Sequence, residues 1–289
     1  MPNPVINRRV PGVATSSAFA YDPEVLDWIN RVISNGGAVS QSTKDAANTL
    51  MVSIKTVANL RAKLRRANIF AGTGFSAAQV PLIIDAGSSL DGVRIGSLSV
   101  TGSGSDFTYV ETGSTGGLTP LTSQAYITTG FTAISGYASI DSSGFSVYAK
   151  DTTTQSGVPI GCANFGSANQ GYMLIAYNGL NTAYGNTWST EYSGTDATRK
   201  GFYTVSRTAS NLSTLYRDGT SLGTTASPGG VLPSAAIGVF AEQLDTGSAT
   251  QFYTKLLAGY FIHDGLSSGE VSSLATFFQT FQTALGRQV

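Results

Sequence analysis

The 289-residue chain has room for one large domain with a smaller appendage, or for two modest ones, and its 41% apolar and 10% aromatic content excludes disorder over most of its length. Charged residues make up only 12% against a typical ~25%, so the surface is largely Ser, Thr, Asn, Gln and Gly, and the 34 glycines suit short strands joined by tight turns. A single cysteine, Cys162, excludes an internal disulfide, and a single histidine, His263, removes most zinc and nucleophile chemistries.

The formal charge of zero is unevenly spread. Residues 1–70 hold nine Lys or Arg against four Asp or Glu, a surplus of five positive charges, and residues 71–289 hold eight against thirteen, the mirror surplus. That asymmetry points to an anchoring end distinct from a displayed end. The opening MPNPVINRRVPG has no apolar run after its basic pair, so no secretory signal is expected, and no stretch is long enough to span a bilayer. A chain made in the cytoplasm and exposed by another route, such as assembly into a virus particle, fits these features; a membrane is not expected as a partner.

Residues 1–21 read as a Pro-rich extended arm. Residues 22–75 read as a helical anchoring segment. Asp22 is a good N-cap, Pro23 suits the first helical position, and Val25, Trp28, Ile29 and Val32 share a face that Asn35-Gly36-Gly37 ends. A second helix is expected over about Ser42 to Ala67, with Ala47, Leu50, Ile54, Val57, Leu60 and Leu64 at three- and four-residue spacing. Its other side carries Lys55, Arg61, Lys63, Arg65 and Arg66, which read either as a solvated helix end or as a docking surface. Protein is the preferred partner over nucleic acid, because the molecule is neutral overall and phosphate binding wants a broad basic field.

From Pro81 period-2 patterns dominate, with some thirteen candidate strands about every dozen residues, including Ser143 to Lys150, Tyr172 to Tyr177 and Thr187 to Tyr192. This describes an all-β, two-sheet antiparallel jelly-roll sandwich over residues 76–289. Asp218-Gly219 between alternating strands is a hairpin signal. Leu266, Ser267, Glu270 and Val271 form a capping box and staple, so a short C-terminal helix begins at Ser267, its stripe drawn by Leu274, Phe277, Phe278, Phe281 and Leu285.

Residues 80–285 resemble the concanavalin A-like lectin/glucanase superfamily, particularly its laminin-G-like members. The resemblance rests on the order of Thr204-Val205-Ser206-Arg207, Tyr216-Arg217-Asp218-Gly219, Ile237-Gly238-Val239-Phe240 and Ala258-Gly259-Tyr260-Phe261-Ile262, followed by Leu266-Ser267-Ser268-Gly269-Glu270-Val271. The layout of residues 1–75 is similar to the helical, basic-ended leaders of tail, fibre and head-decoration proteins of tailed bacteriophages. Together these imply a non-enzymatic structural or decoration protein of a virion, a homo-oligomer held to other virion proteins by its N-terminal segment and displaying a lectin-like domain toward glycans. The alternative is a polysaccharide-binding or polysaccharide-degrading module on a tail or cell surface.

Glucan-hydrolysing members of the superfamily carry a Glu-x-Asp-x-x-Glu cluster. The five glutamates here, Glu24, Glu111, Glu191, Glu242 and Glu270, form none, so no catalytic residue is expected. His263-Asp264 lacks the Gly-x-Ser-x-Gly elbow of a hydrolase triad. Lectin-like sandwiches often hold calcium with loop acids, and Asp85, Asp91, Asp141, Asp218 and Asp245 sit near turns, but no two at diagnostic spacing; no metal or other cofactor is expected. Sugar binding wants aromatic faces beside amides and hydroxyls. The segment from Tyr177 to Trp188 supplies both, and Tyr184, Asn186, Trp188 and Tyr192 are the candidate sugar-binding residues. Strand alternation would place Trp188 and Tyr192 equally well in the sandwich core.

Overall fold

The first helix, α1 (Pro23–Ser34), starts where the residues direct: the Asp22 side chain accepts the Glu24 amide hydrogen, Pro23 occupies the first turn, and Val25, Trp28, Ile29 and Val32 are buried. A computed structural model describes residues 20–95, 98–101, 106–151, 153, 156–166, 169–175, 182–188 and 190–289. Most of the expected arm at 1–21, and residues 177–181 of the aromatic segment, lie outside the described residues.

After α1 come α2 (Gln41–Thr56), α3 (Leu60–Lys63), β1 (Leu64–Asn68), α4 (Phe75–Ala78), β2 (Ile83–Ile84), β3 (Gly92–Ile95), β4 (Leu98–Thr101), β5 (Phe107–Val110), β6 (Gly117–Pro120), β7 (Ala125–Thr132), α5 (Ala133–Gly136) and β8 (Ser143–Ala149). The chain continues through β9 (Ile160–Ala163), β10 (Gln170–Leu174), β11 (Thr182–Thr187), β12 (Tyr192–Thr195), β13 (Gly201–Ala209), β14 (Leu212–Arg217), β15 (Thr220–Thr225), β16 (Ala236–Val239), β17 (Glu242–Leu244), β18 (Ala249–Thr250), β19 (Leu257–His263) and α6 (Ser268–Ala284).

Two sheets face each other. The first runs β15-β14-β13-β8-β19-β1-β2 with β6 and β5 appended through β19, and the second runs β12-β11-β10-β9-β16-β7-β3-β4 with β17 and β18 appended through β9. All pairings are antiparallel except β17 with β9. This is the expected two-sheet sandwich. Its core takes Phe145, Val147, Val205 and Ile262 from the first sheet and Ile127, Ile160, Met173 and Ile237 from the second. A second cluster covers the opposite face of the first sheet, where Tyr148, Phe202 and Phe261 meet Trp28, Leu50, Ile54, Leu274 and Phe278 of the helices. The first sheet is therefore a middle layer. Strands β8 and β19 are buried at every position for that reason.

The helix expected to run to Ala67 ends at Thr56. Val57 is extended, Asn59 takes a left-handed conformation at φ 62°, and after the single turn of α3 the chain becomes β1. β1 pairs with β19 (Arg66 with Ile262, Ala67 with Phe261) and with β2 on its other side. A continued helix would leave one edge of β19 unpaired beside a buried core, and closing that edge outweighs the helical spacing of Leu60 and Leu64. Residues 22–75 consequently do not form a separate segment: they supply a strand to the sheet and two helices to its cover. The strand expected over Thr187 to Tyr192 is also revised, because Trp188 turns the chain at φ 67° between β11 and β12.

A buried polar network ties β1 into this layer. Arg66 Nη2 lies 2.7 Å from Asp91 Oδ1, Arg66 Nε donates to the Tyr260 hydroxyl at 2.9 Å, and Tyr260 and Asn68 donate to the two Asp91 oxygens at 2.7 Å each. At the other end of the chain the capping box forms as expected, Ser267 accepting the Glu270 amide and Glu270 accepting the Ser267 amide. The α6 helix that follows is 17 residues long, and Phe278 packs edge-on to Phe261 with ring centroids 4.9 Å apart. Burying one such side chain contributes ~1.5 to 3 kcal/mol.

Candidate functional site

The five basic residues expected to form a docking surface are each engaged within the chain. Lys55 pairs with Asp22 and Glu24 at 2.8 Å, Arg61 with Glu24 at 2.6 Å and Asp85 at 2.8 Å, Lys63 with Glu270 at 2.7 Å, and Arg65 with Asp264 at 2.6 Å. Arg66 is buried on Asp91. Because α2 stops at Thr56, residues 61–66 lie along α3 and β1 and meet acids from five other places in the chain. Their arrangement is that of internal clasps, and Glu270 pins the base of α6 to α3.

His263 sits 3.0 Å from the Ser146 hydroxyl through Nε2, and its Nδ1–H donates to the Asp264 carbonyl oxygen at 2.8 Å. The Asp264 carboxylate is turned to Arg65. Both His263 and Ser146 are fully buried between the first sheet and the helices, and burial pushes the His263 pKa down to about 4. Among the described residues the pair lacks the carboxylate that a triad needs, since Asp264 offers His263 only its carbonyl oxygen. It is structural.

Strand alternation divides the four candidate sugar residues. Trp188 is fully buried, donates from Nε1 to the Ser143 hydroxyl at 2.7 Å, and lies over Gly171, where a Cβ would come within 2.3 Å of its ring. Tyr192 also points into the core, 2.5 Å from the Ser213 hydroxyl, with its pKa pushed up to about 12 by burial. Of the two readings left open by the sequence, these residues take the core. Tyr184 and Asn186 face the other way. They lie on the outer face of the second sheet, against which α1, α2 and α6 do not pack.

On that face the register lines up a row across four strands: Glu242 of β17 beside Gly161 of β9, Gly161 beside Tyr172 of β10, and Tyr172 beside Asn186 of β11. Glycine is needed at 161, since a Cβ there would stand 2.8 Å from the Tyr172 Cβ. The Tyr172 hydroxyl donates to Glu191 Oε2 at 2.5 Å and is also hydrogen-bonded by the Asn186 side chain; burial first, then Glu191, raises its pKa. Tyr172, Leu174 and Val158 form a small apolar cluster with half-buried Tyr184 against it. At the end of the row Glu242 is 3% exposed; its Oε2 accepts from Gln251 at 3.2 Å, while Oε1 has no partner. Burial raises the Glu242 pKa above the usual carboxylate range. The neighbouring Gln243 Oε1 is likewise buried without a donor.

Apolar rings, an amide and two carboxyl groups, one of them with an unpartnered oxygen, meet here. Of the four candidate sugar residues, Tyr184 and Asn186 lie on this face; Tyr172, Glu191, Glu242 and Gln251 beside them are not legible as neighbours in the sequence, because the row is assembled by sheet register from separated segments. Among the described residues no group of three or more His, Cys, Asp or Glu is placed to hold a metal ion. Of the turn aspartates, Asp85 and Asp91 are ion-paired, and Asp218 and Asp245 accept backbone amides from Phe202 and Phe165.

No family model matches the sequence, and no curated protein is similar to it in sequence. Among solved structures, the chain is similar to domain 4 of AbnA, a GH43 extracellular arabinanase from Geobacillus stearothermophilus, in complex with arabinotriose, at 13% identity and TM-score 0.46, covering 74% of this chain and 98% of that one. It is similar to the Trypanosoma rangeli sialidase in complex with 2,3-difluorosialic acid, at 13% identity and TM-score 0.46, covering 74% of this chain and 32% of that one. It is also similar to the Ruminococcus gnavus IT-sialidase CBM40 bound to α2,3 sialyllactose, at 11% identity and TM-score 0.36, covering 47% and 82%. The expectation of a non-enzymatic protein is corrected on this point, since a domain of an arabinanase and a sialidase stand among the similar structures. The architecture itself rests on the strand pairings: the chain is a two-sheet β-sandwich with one face under helices and the other carrying the Glu242–Tyr172–Asn186 row.

Proposed function

We propose that the chain is a polysaccharide-binding module whose sugar site is the outer face of the second sheet around Tyr172, Tyr184, Asn186, Glu191 and Glu242. One observation carries this reading: a buried carboxyl oxygen without a donor stands at the end of a row holding a buried apolar cluster with half-buried Tyr184 against it, on the sheet face that the helices do not cover. A pyranose or furanose supplies what that row lacks, an apolar face for the tyrosines and hydroxyl donors for the acceptors. On the opposite side of the molecule every basic residue of the 55–66 stretch is already paired, which supports the outer face as the working surface.

Affinity electrophoresis through gels containing soluble polysaccharides tests the reading. The full chain is expected to be retarded by at least one of them, and Tyr172→Ala, with an unchanged circular dichroism spectrum, is expected to lose that retardation. Wild-type retardation that persists undiminished in both Tyr172→Ala and Tyr184→Ala would move the site elsewhere.

A further inference from the structure

Resting on that reading, the geometry points to a specificity: we infer that the outer-face site takes neutral, hydroxyl-rich glycans and rejects acidic ones such as uronans, sialylated chains and sulfated polysaccharides. The inference comes from what the row lacks. Its polar groups are the Glu242 carboxyl, the Asn186 amide, the Tyr172 phenol and the Glu191 carboxyl. Glu242 Oε1 is an acceptor without a donor, in a residue 3% exposed. A buried acceptor left unpaired is costly, and a ligand that brings a donor removes the cost where one that brings another acceptor adds to it. A sugar hydroxyl is such a donor, directly or through one bridging water.

Charge acts in the same direction. Glu191 is exposed at one end of the row with its Oε2 held by Tyr172, and Glu242 stands at the other, close enough for its charge to raise the Tyr172 pKa. A ligand carboxylate or sulfate laid across Tyr172 would lie between two carboxyl groups, and like charges juxtaposed in a partly dry site oppose binding strongly. A neutral sugar meets no such opposition. Exclusion of the wrong ligand is thus built from the same atoms that receive the right one.

The test uses the full chain on matched glycans at one ionic strength by biolayer interferometry: dextran, linear arabinan and mixed-linkage β-glucan against dextran sulfate, polygalacturonate and polysialic acid. Binding to at least one neutral glycan and to none of the acidic three is expected. The doubly neutralised Glu191→Gln/Glu242→Gln chain should then narrow the neutral-over-acidic preference by about tenfold or more. Glu191→Gln alone, altering an exposed side chain, serves where the double variant does not fold, with the same direction expected. Binding to an acidic glycan as tightly as to any neutral one, abolished by Tyr172→Ala, would overturn the specificity and leave the site standing. A preference unchanged in the neutralised variants would also overturn it. Failure to bind any of the six would instead sink the site, and the specificity with it.

Discussion

The two sides of the first sheet and the outer face of the second both bury polar side chains and satisfy them differently. Between the sheets, Arg66, Asn68, Asp91 and Tyr260 close on one another, and under the helices Ser146, Thr204 and His263 do the same, so these buried polar groups have partners from the chain. On the outer face of the second sheet Glu242 Oε1 has none. Burial of polar groups is tolerated in both places, and on the outer row Glu242 keeps an unfilled acceptor. The difference separates polar residues that hold the fold from those left for something else.

The comparison breaks first if the closed interior proves loosely held. Arg66→Ala strands the Asp91 charge in the interior and should cost about 3–5 kcal/mol, read as a lower urea midpoint. Trp188→Ala should cost a similar ~3 to 5 kcal/mol through the cavity beside Tyr137 and Phe145, with its effect on stability rather than on the binding face. An effect under ~1 kcal/mol for either would show that the residue is not packed as described. The His263 pKa is lowered from 6.5 to about 4 by burial, so the folded chain binds fewer protons than the unfolded one between those values. The stability present above pH 6.5 should fall as the pH drops toward 4, by about 3 kcal/mol in all, and His263→Asn should flatten that part of the profile. Ser267→Ala removes the cap of α6 and should cost about 1 kcal/mol, checked by the same urea titration.

Much of the closed face was legible in the residues. Asp22-Pro23 starts α1, Ser267 and Glu270 start α6, and the Asp218-Gly219 hairpin joins β14 to β15 with both residues at positive φ. These are local signals, and local backbone chemistry decides them. Leu64 to Asn68 was misread because its helical spacing is satisfied equally well in a strand whose partner, β19, lies almost two hundred residues away. The same distance hid the outer row. Glu191 and Glu242 look isolated along the chain, and the register of β17, β9, β10 and β11 is what brings them to either side of Tyr172. Of the sugar candidates, Tyr184 and Asn186 fall on the outward phase of β11, and Trp188 and Tyr192 go to the core, where the chain turns at 188.

Hydroxyl-radical footprinting of the full chain, with and without a saturating polysaccharide that binds it, compares the two faces in one experiment. The account predicts protection of Tyr172 and Tyr184 by the ligand, with Leu26, Ile33 and Val52 on the helical side unchanged. Protection confined to the helical side, with Tyr172 and Tyr184 modified equally in both samples, would contradict it.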